Sequence, residues 1–135
     1  MPNTQAIGVA YSDPEFTTCY ASQEIGYSAA AQGTVTQATD KSTGVTLNKS
    51  AGRITMNNAA LAGATAVSFT LTNSLISAND AIIVNVSGGG TAAAYATYIS
   101  SMTAGSAVVT LRNLTASTSL SEAVILNFAI IHGAS

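Results

Sequence analysis

A chain of 135 residues with four Lys and Arg, six Asp and Glu and a net charge of −2 has the length of one domain. It carries too little positive charge for strong nucleic-acid binding, which takes about six to ten phosphate contacts. Charged residues make up 7 % of it, against about 25 % in ordinary soluble domains, so Ser, Thr, Asn and Gln must keep the surface wet or partners must cover it.

The opening "MPNTQAIGVAYSDPEF" lacks the basic region and apolar stretch of a signal peptide, so the expectation is a protein made and kept without Sec export. Asp13-Pro14 suggests a turn or an extended arm. Residues 1–40 read as an extended N-terminal arm, or as first strands, packing on a neighbour or a larger surface. A short helix over 28–33 competes weakly, because Gly33 interrupts it. Cys19 is the single cysteine, which excludes an internal disulfide, and it reads as a small buried hydrophobe.

From residue 41 the sequence reads as strands. In "KSTGVTLNKSAGRITM" (41–56), Val45 and Leu47 alternate with Thr46 and Asn48, "NKSAG" has turn chemistry, and Ile54 and Met56 resume the alternation. This predicts a β-hairpin with Lys41, Lys49 and Arg53 clustered at its start and turn. "AVSFTLTN" points Val67, Phe69 and Leu71 inward, and "AIIVNVS" does the same with Ile82, Val84 and Val86 before the glycines at 88–90. "AYATYIS" and "SAVVTLRN" follow. "EAVILNFAII" is apolar on both faces, which predicts a strand central in its sheet or lying at a subunit contact.

Seven strand candidates separated by turn signals predict an all-β fold: an antiparallel, jelly-roll-like β-sandwich over 41–135 preceded by the arm. "FTLTN" and "VTLRN" are alike, each a strand ending at Asn, and are read as shared strand chemistry. No 18-residue apolar run offers a transmembrane helix, so no membrane partner is expected.

Catalytic chemistry is hard to assemble from these residues. Asp13 and Glu15 fall on one side of an extended segment, yet no aromatic sugar platform follows and Trp is absent, so a solvated turn explains them better than a glycosidase pair. Cys19 and His132 lack any signature of a thiol nucleophile with its base, and their separation offers no zinc-ligand spacing. "SGGGTAAAY" has neither a P-loop lysine nor a dinucleotide fingerprint after it. Asp80 and Arg112 can pair with each other, with Glu122 or with another subunit. The expectation is a protein that is not an enzyme and has no cofactor or metal.

The succession "TQATDKSTGVTLNKSAGRITM", "AVSFTLTNSLISANDAIIVNV", "VVTLRNLT" and "SEAVILNFAIIHG" resembles a β-rich module of tailed-bacteriophage virion proteins, found in capsid decoration (cement) proteins and at the ends of some fibre proteins. The resemblance covers roughly the last two-thirds of the chain. It implies a trimeric β domain on the capsid surface of a virion, made in the host bacterial cytoplasm, that binds the major capsid protein and itself. The alternative it leaves open is a fibre-tip module binding a host-surface glycan or protein through the loops "SGGGTAAAY" and "TASTSLS". The candidate partner contacts are Lys41, Lys49 and Arg53 on the hairpin and Asp13, Glu15 and Phe16 on the arm. A docking edge for an acidic partner and a solubility cluster account equally for the three cations.

Overall fold

The computed structural model describes residues 15–133. Eight strands form: β1 (Gln32–Thr36), β2 (Val45–Thr46), β3 (Ala51–Thr55), β4 (Ala66–Thr72), β5 (Ala81–Gly88), β6 (Tyr95–Thr103), β7 (Ser106–Asn113) and β8 (Ile125–Ile131). They make two four-stranded sheets, β1-β3-β8-β5 and β2-β4-β7-β6, packed face to face as a β-sandwich. The seven expected strands are present. The eighth, β1, falls where first strands were the alternative to an arm; "QGTVT" signals a strand weakly, with a single apolar side chain, Val35, and a glycine two residues before it.

The strand directions are mixed rather than wholly antiparallel. β1 runs parallel to β3 and β2 parallel to β4, while the other four pairings are antiparallel. The cause is the route of the chain. It passes from β1 in one sheet to β2 in the other, back to β3, and across again to β4. Two reversals separate β1 from β3, and two separate β2 from β4, so each of these pairs ends up parallel.

The same route overturns the expected hairpin over 41–56. Val45 and Thr46 pair with Leu71 and Thr72 in one sheet, whereas β3 pairs with β1 and β8 in the other. The alternation was read correctly, for Val45, Ile54 and Met56 are buried. They enter one core from its two opposite walls. Side-chain amides fasten the crossover: Asn73 Nδ2 donates to Lys49 O at 2.7 Å, and Asn48 Oδ1 accepts from Ser74 N at 2.9 Å.

The inward faces meet as expected. Phe69 and Leu71 of β4, Val109 and Leu111 of β7, and Leu126, Phe128 and Ile130 of β8 are buried with Ile54 and Met56. Each such side chain stabilises the fold by about 1.5–3 kcal/mol through the apolar surface it removes from water. β8 is an interior strand flanked by β3 and β5; Leu126, Phe128 and Ile130 on its inward face are buried, while Ile131 on the other face is exposed.

Two asparagines close the ends of the sandwich. Asn73 follows β4 and Asn113 ends β7, and both are fully buried. Asn113 Nδ2 donates to Leu61 O and Thr118 O, each at 2.9 Å, and its Oδ1 accepts from Thr115 N at 3.0 Å and Thr115 Oγ1 at 2.8 Å. The likeness of "FTLTN" and "VTLRN" is therefore more than strand chemistry: each ends in a buried amide that ties down a loop.

The region read as an arm divides at Gln32. β1 belongs to the sandwich, a single 3-10 turn spans Ala29–Ala31, and residues 15–30 are exposed throughout. Tyr27 anchors the base of this segment, its hydroxyl donating to Ile130 O on β8 while its own carbonyl accepts from Gln32 Nε2 at 3.1 Å.

Candidate functional site

The sparse charges fall into three hydrogen-bonded clusters and one open face. The first cluster centres on Lys41. Gln37 Nε2 donates to Lys41 O at 3.0 Å and to Thr43 O at 2.9 Å, closing residues 37–43 into a loop that turns the lysine inward. Only 3 % of Lys41 is exposed, and its Nζ donates to the backbone carbonyls of Asn57 and Glu122. Burial lowers its pKa from the usual lysine value, and the negative charge of Glu122 opposes that shift. Lys41 was expected as a surface charge at a partner edge. It is instead an internal bracket, with no free ammonium to offer a partner.

Glu122 completes this cluster from the far side. Its carboxylate accepts from Thr91 N at 3.0 Å, Thr91 Oγ1 at 2.7 Å and Tyr95 Oη at 2.8 Å. The Thr91 bonds hold its pKa below the ordinary carboxylate value, with Tyr95 and Lys41 adding to the effect. Tyr95 responds in the opposite sense. Burial, then its bond to Glu122, pushes its phenol well above the usual tyrosine range.

The second cluster is Asp80, which pairs with the only histidine and not with Arg112, one of the pairings the sequence left open. The carboxylate accepts from Ser77 N and Ser77 Oγ at 2.8 Å each and from Gly133 N at 3.1 Å, and it lies 3.1 Å from His132 Nδ1. Its backbone bond from Ser77 leads in lowering the pKa to about 2. Arg112 lies on β7 between Ala66 and Ala96 in register, exposed and remote from this pair in the sheet order. A carboxylate-oriented imidazole is half of a hydrolase triad. Here Ser77 Oγ donates to the carboxylate instead of the ring, so the arrangement does not activate that hydroxyl.

The third cluster is local. Asp40 accepts from Ser42 N, Ser42 Oγ and Thr43 Oγ1 in its own turn, and the Ser42 bonds lower its pKa.

The open face is the outer side of the β1-β3-β8-β5 sheet. Thr34, Arg53, Asn127 and Asn85 stand side by side across its four strands. Arg53 Nε lies 3.4 Å from Asn127 Oδ1, which also accepts from Ser87 Oγ at 3.1 Å. A shallow groove runs past Arg53, lined among others by Gln32, Thr34, Ala51 and Asn127. Lys49 is partly exposed, and its Nζ donates to Ala30 O at 2.9 Å, which ties it to the base of the arm.

Of the six candidate contacts, Arg53, Glu15 and Phe16 are exposed, Lys49 is committed to Ala30, Lys41 is buried, and Asp13 lies outside the described residues. Cys19 is exposed, contrary to the buried reading, because the segment around it never packs on the sandwich. Sequence reasoning missed Glu122, Tyr95 and Asn127. Nothing local distinguishes a glutamate that pins a loop from one in solvent, although the unusual scarcity of charge was a signal that each had a fixed place. Among the described residues, no three His, Cys, Asp or Glu side chains are grouped to hold a metal ion.

Compared with protein-family models, with curated proteins and with solved structures, the chain has no match in any of the three.

Proposed function

We propose that this chain is a structural virion protein, a homotrimeric capsid decoration protein that binds the outer surface of the major capsid protein shell and stabilises it. The observation that carries this reading is a division of labour along the chain. The sandwich satisfies its buried polar side chains internally, none being left without a hydrogen-bond partner among the described residues. The segment 15–30, in contrast, is exposed at every position and presents Phe16, Tyr20 and Ile25 to solvent. A rigid block with an apolar arm suits fixed contacts at high local concentration better than turnover of a substrate.

The fibre-tip alternative has less support. Its two contact loops bind their polar groups inward: Thr91 and Tyr95 serve Glu122, and Thr115 and the Thr118 carbonyl serve Asn113. Among the described residues, exposed hydroxyls without a partner remain on the second loop, at Ser117, Thr118, Ser119 and Ser121.

The test mixes purified protein with shells lacking it and with the parent particles. A decoration protein is present in hundreds of copies per particle, and its removal lowers shell resistance to heat or osmotic shock. A few copies per particle, with loss of adsorption to cells on removal, would give the role to a fibre.

A further inference from the structure

Among the described residues, most charges have an internal answer. Lys41 and Glu122 share one cluster, Asp80 holds His132, Asp40 caps its own turn, and Lys49 binds Ala30 O. The acids left over among the described residues are Glu15 and Glu24, both on the exposed arm. The cations left over are Arg53 and Arg112. In a protein with so few charges, this separation of spare acids from spare bases identifies two surfaces that complement one another.

Arg53 is the better of the two receivers. It lies beside a groove, its Nε side is steadied by Asn127, and its terminal amino groups have no protein partner among the described residues. Such a guanidinium edge accepts a carboxylate bidentately. Arg112 stands between two alanines, Ala66 and Ala96, and does not line the groove beside Arg53.

The arm supplies what the groove lacks. Phe16, Tyr20 and Ile25 are 66 %, 92 % and 86 % exposed, and residues 15–26 make no backbone hydrogen bond to the sandwich. Glu24 is only three residues from the anchored Tyr27 and stays near its own domain. Residues 15–26, fully extended, reach about 40 Å, well beyond a domain whose radius of gyration is about 13 Å. Glu15 and Phe16 are therefore the residues able to arrive at a neighbour.

We infer that Glu15 and Phe16 of one copy dock in the Arg53 groove of a second copy, so that the protein assembles by passing its arms between copies. The Glu15 carboxylate meets the Arg53 guanidinium, and the Phe16 ring covers the apolar part of the groove at Ala51. Arms passed in this way make a heterologous contact, which closes into a ring where the rotation between copies closes. The inference deepens the proposed function by naming the self-contact, but it concerns the free protein and needs no shell.

The test is sedimentation velocity and light scattering on the full-length protein over a range of concentrations, without shells. The wild type is expected to associate. Arg53→Glu and Glu15→Arg are each expected to weaken association about tenfold, and the double charge swap to recover most of the loss. Phe16→Asp should weaken it as well. Arg53 is exposed, so an unchanged thermal melt of Arg53→Glu separates lost docking from lost folding. A wild type that stays monomeric overturns the inference, as does association indifferent to both single substitutions, or a double swap no better than either. If the protein is monomeric yet coats shells, and Arg53→Glu reduces the coating, the groove faces the shell: self-docking and the homotrimer fail while shell decoration stands.

Discussion

The Asp80 carboxylate holds His132 Nδ1 at 3.1 Å and Gly133 N at 3.1 Å, so the chain leaving β8 is fastened to the turn that begins β5. Ser77 supplies two more bonds to the same carboxylate, and the group is shut away from solvent while His132 is half exposed. Replacing Asp80 with Asn keeps the shape but removes the charge and an acceptor. The expected result is a fall of several degrees in Tm, with early hydrogen exchange at the end of β8.

Acid should act through the same group. The Asp80 pKa is lowered from 3.8 to about 2, and those of Asp40 and Glu122 are lowered as well. A carboxylate with a depressed folded pKa stabilises the fold fully above its unfolded pKa, and that contribution is lost as pH falls through the folded value. Stability is therefore expected to be flat toward neutral pH and to decline below about 4, with the Asp80 part going last, between about 4 and about 2. Denaturant titrations at stepped pH check this, and Asp80→Asn should flatten the lowest part of the profile.

Lys41 offers a sharper test because its sequence context predicts a surface charge. Its ammonium joins the carbonyls of Asn57 and Glu122 inside the fold. Lys41→Met fills similar volume but leaves those carbonyls without their donor. The expected loss is about 2–4 kcal/mol in a urea titration. A surface lysine would give within about 0.5 kcal/mol of wild type.

Lys41 also marks the limit of what could be read from the sequence. Period-two alternation located the seven expected strands and their inward faces, since burial of every second side chain leaves a direct trace. It was silent on pairing. "GVTLN" and "RITM" alternate identically whether they face one another in a hairpin or face the core from opposite sheets. β1 was legible only as one of two alternatives, an arm or first strands, because its contribution is backbone pairing with β3, which leaves little mark in side chains. The internal clusters escaped for a related reason. Lys41, Asn57 and Glu122 meet only after three loops have closed, and no local spacing encodes that meeting. The exposure of Glu15 and Phe16 was legible because an apolar side chain beside a charge with no periodic partner has no home in the sandwich.

The buried asparagines should be far less replaceable than their strand neighbours. Asn113 makes four hydrogen bonds, two of them through Nδ2 to Leu61 O and Thr118 O. Asn113→Ala removes them together and opens a polar cavity, with an expected loss of about 3 kcal/mol. Asn113→Asp should do as badly, because the Nδ2 donors are what the two carbonyls require. Exposed Thr70, between Phe69 and Leu71 on β4, should tolerate Val within about 0.5 kcal/mol by the same denaturation assay.

Two glycines with positive φ separate backbone strain from steric exclusion. Gly89 has φ +73, and a Cβ there would lie 2.2 Å from Ala123 O, a backbone atom that cannot move aside alone. Gly105 has φ +82 with nothing within 4 Å of the same added atom. Gly105→Ala therefore meets only the left-handed strain, about 1 kcal/mol. Gly89→Ala meets that strain and the collision, and it must displace the segment carrying Ala123 next to Glu122. The expected loss exceeds about 3 kcal/mol, and the phenol of Tyr95, held by Glu122, should titrate at lower pH in any folded fraction. Equal losses for the two variants in urea titrations would show that the 89–95 loop yields, and that Glu122 does not fix its position.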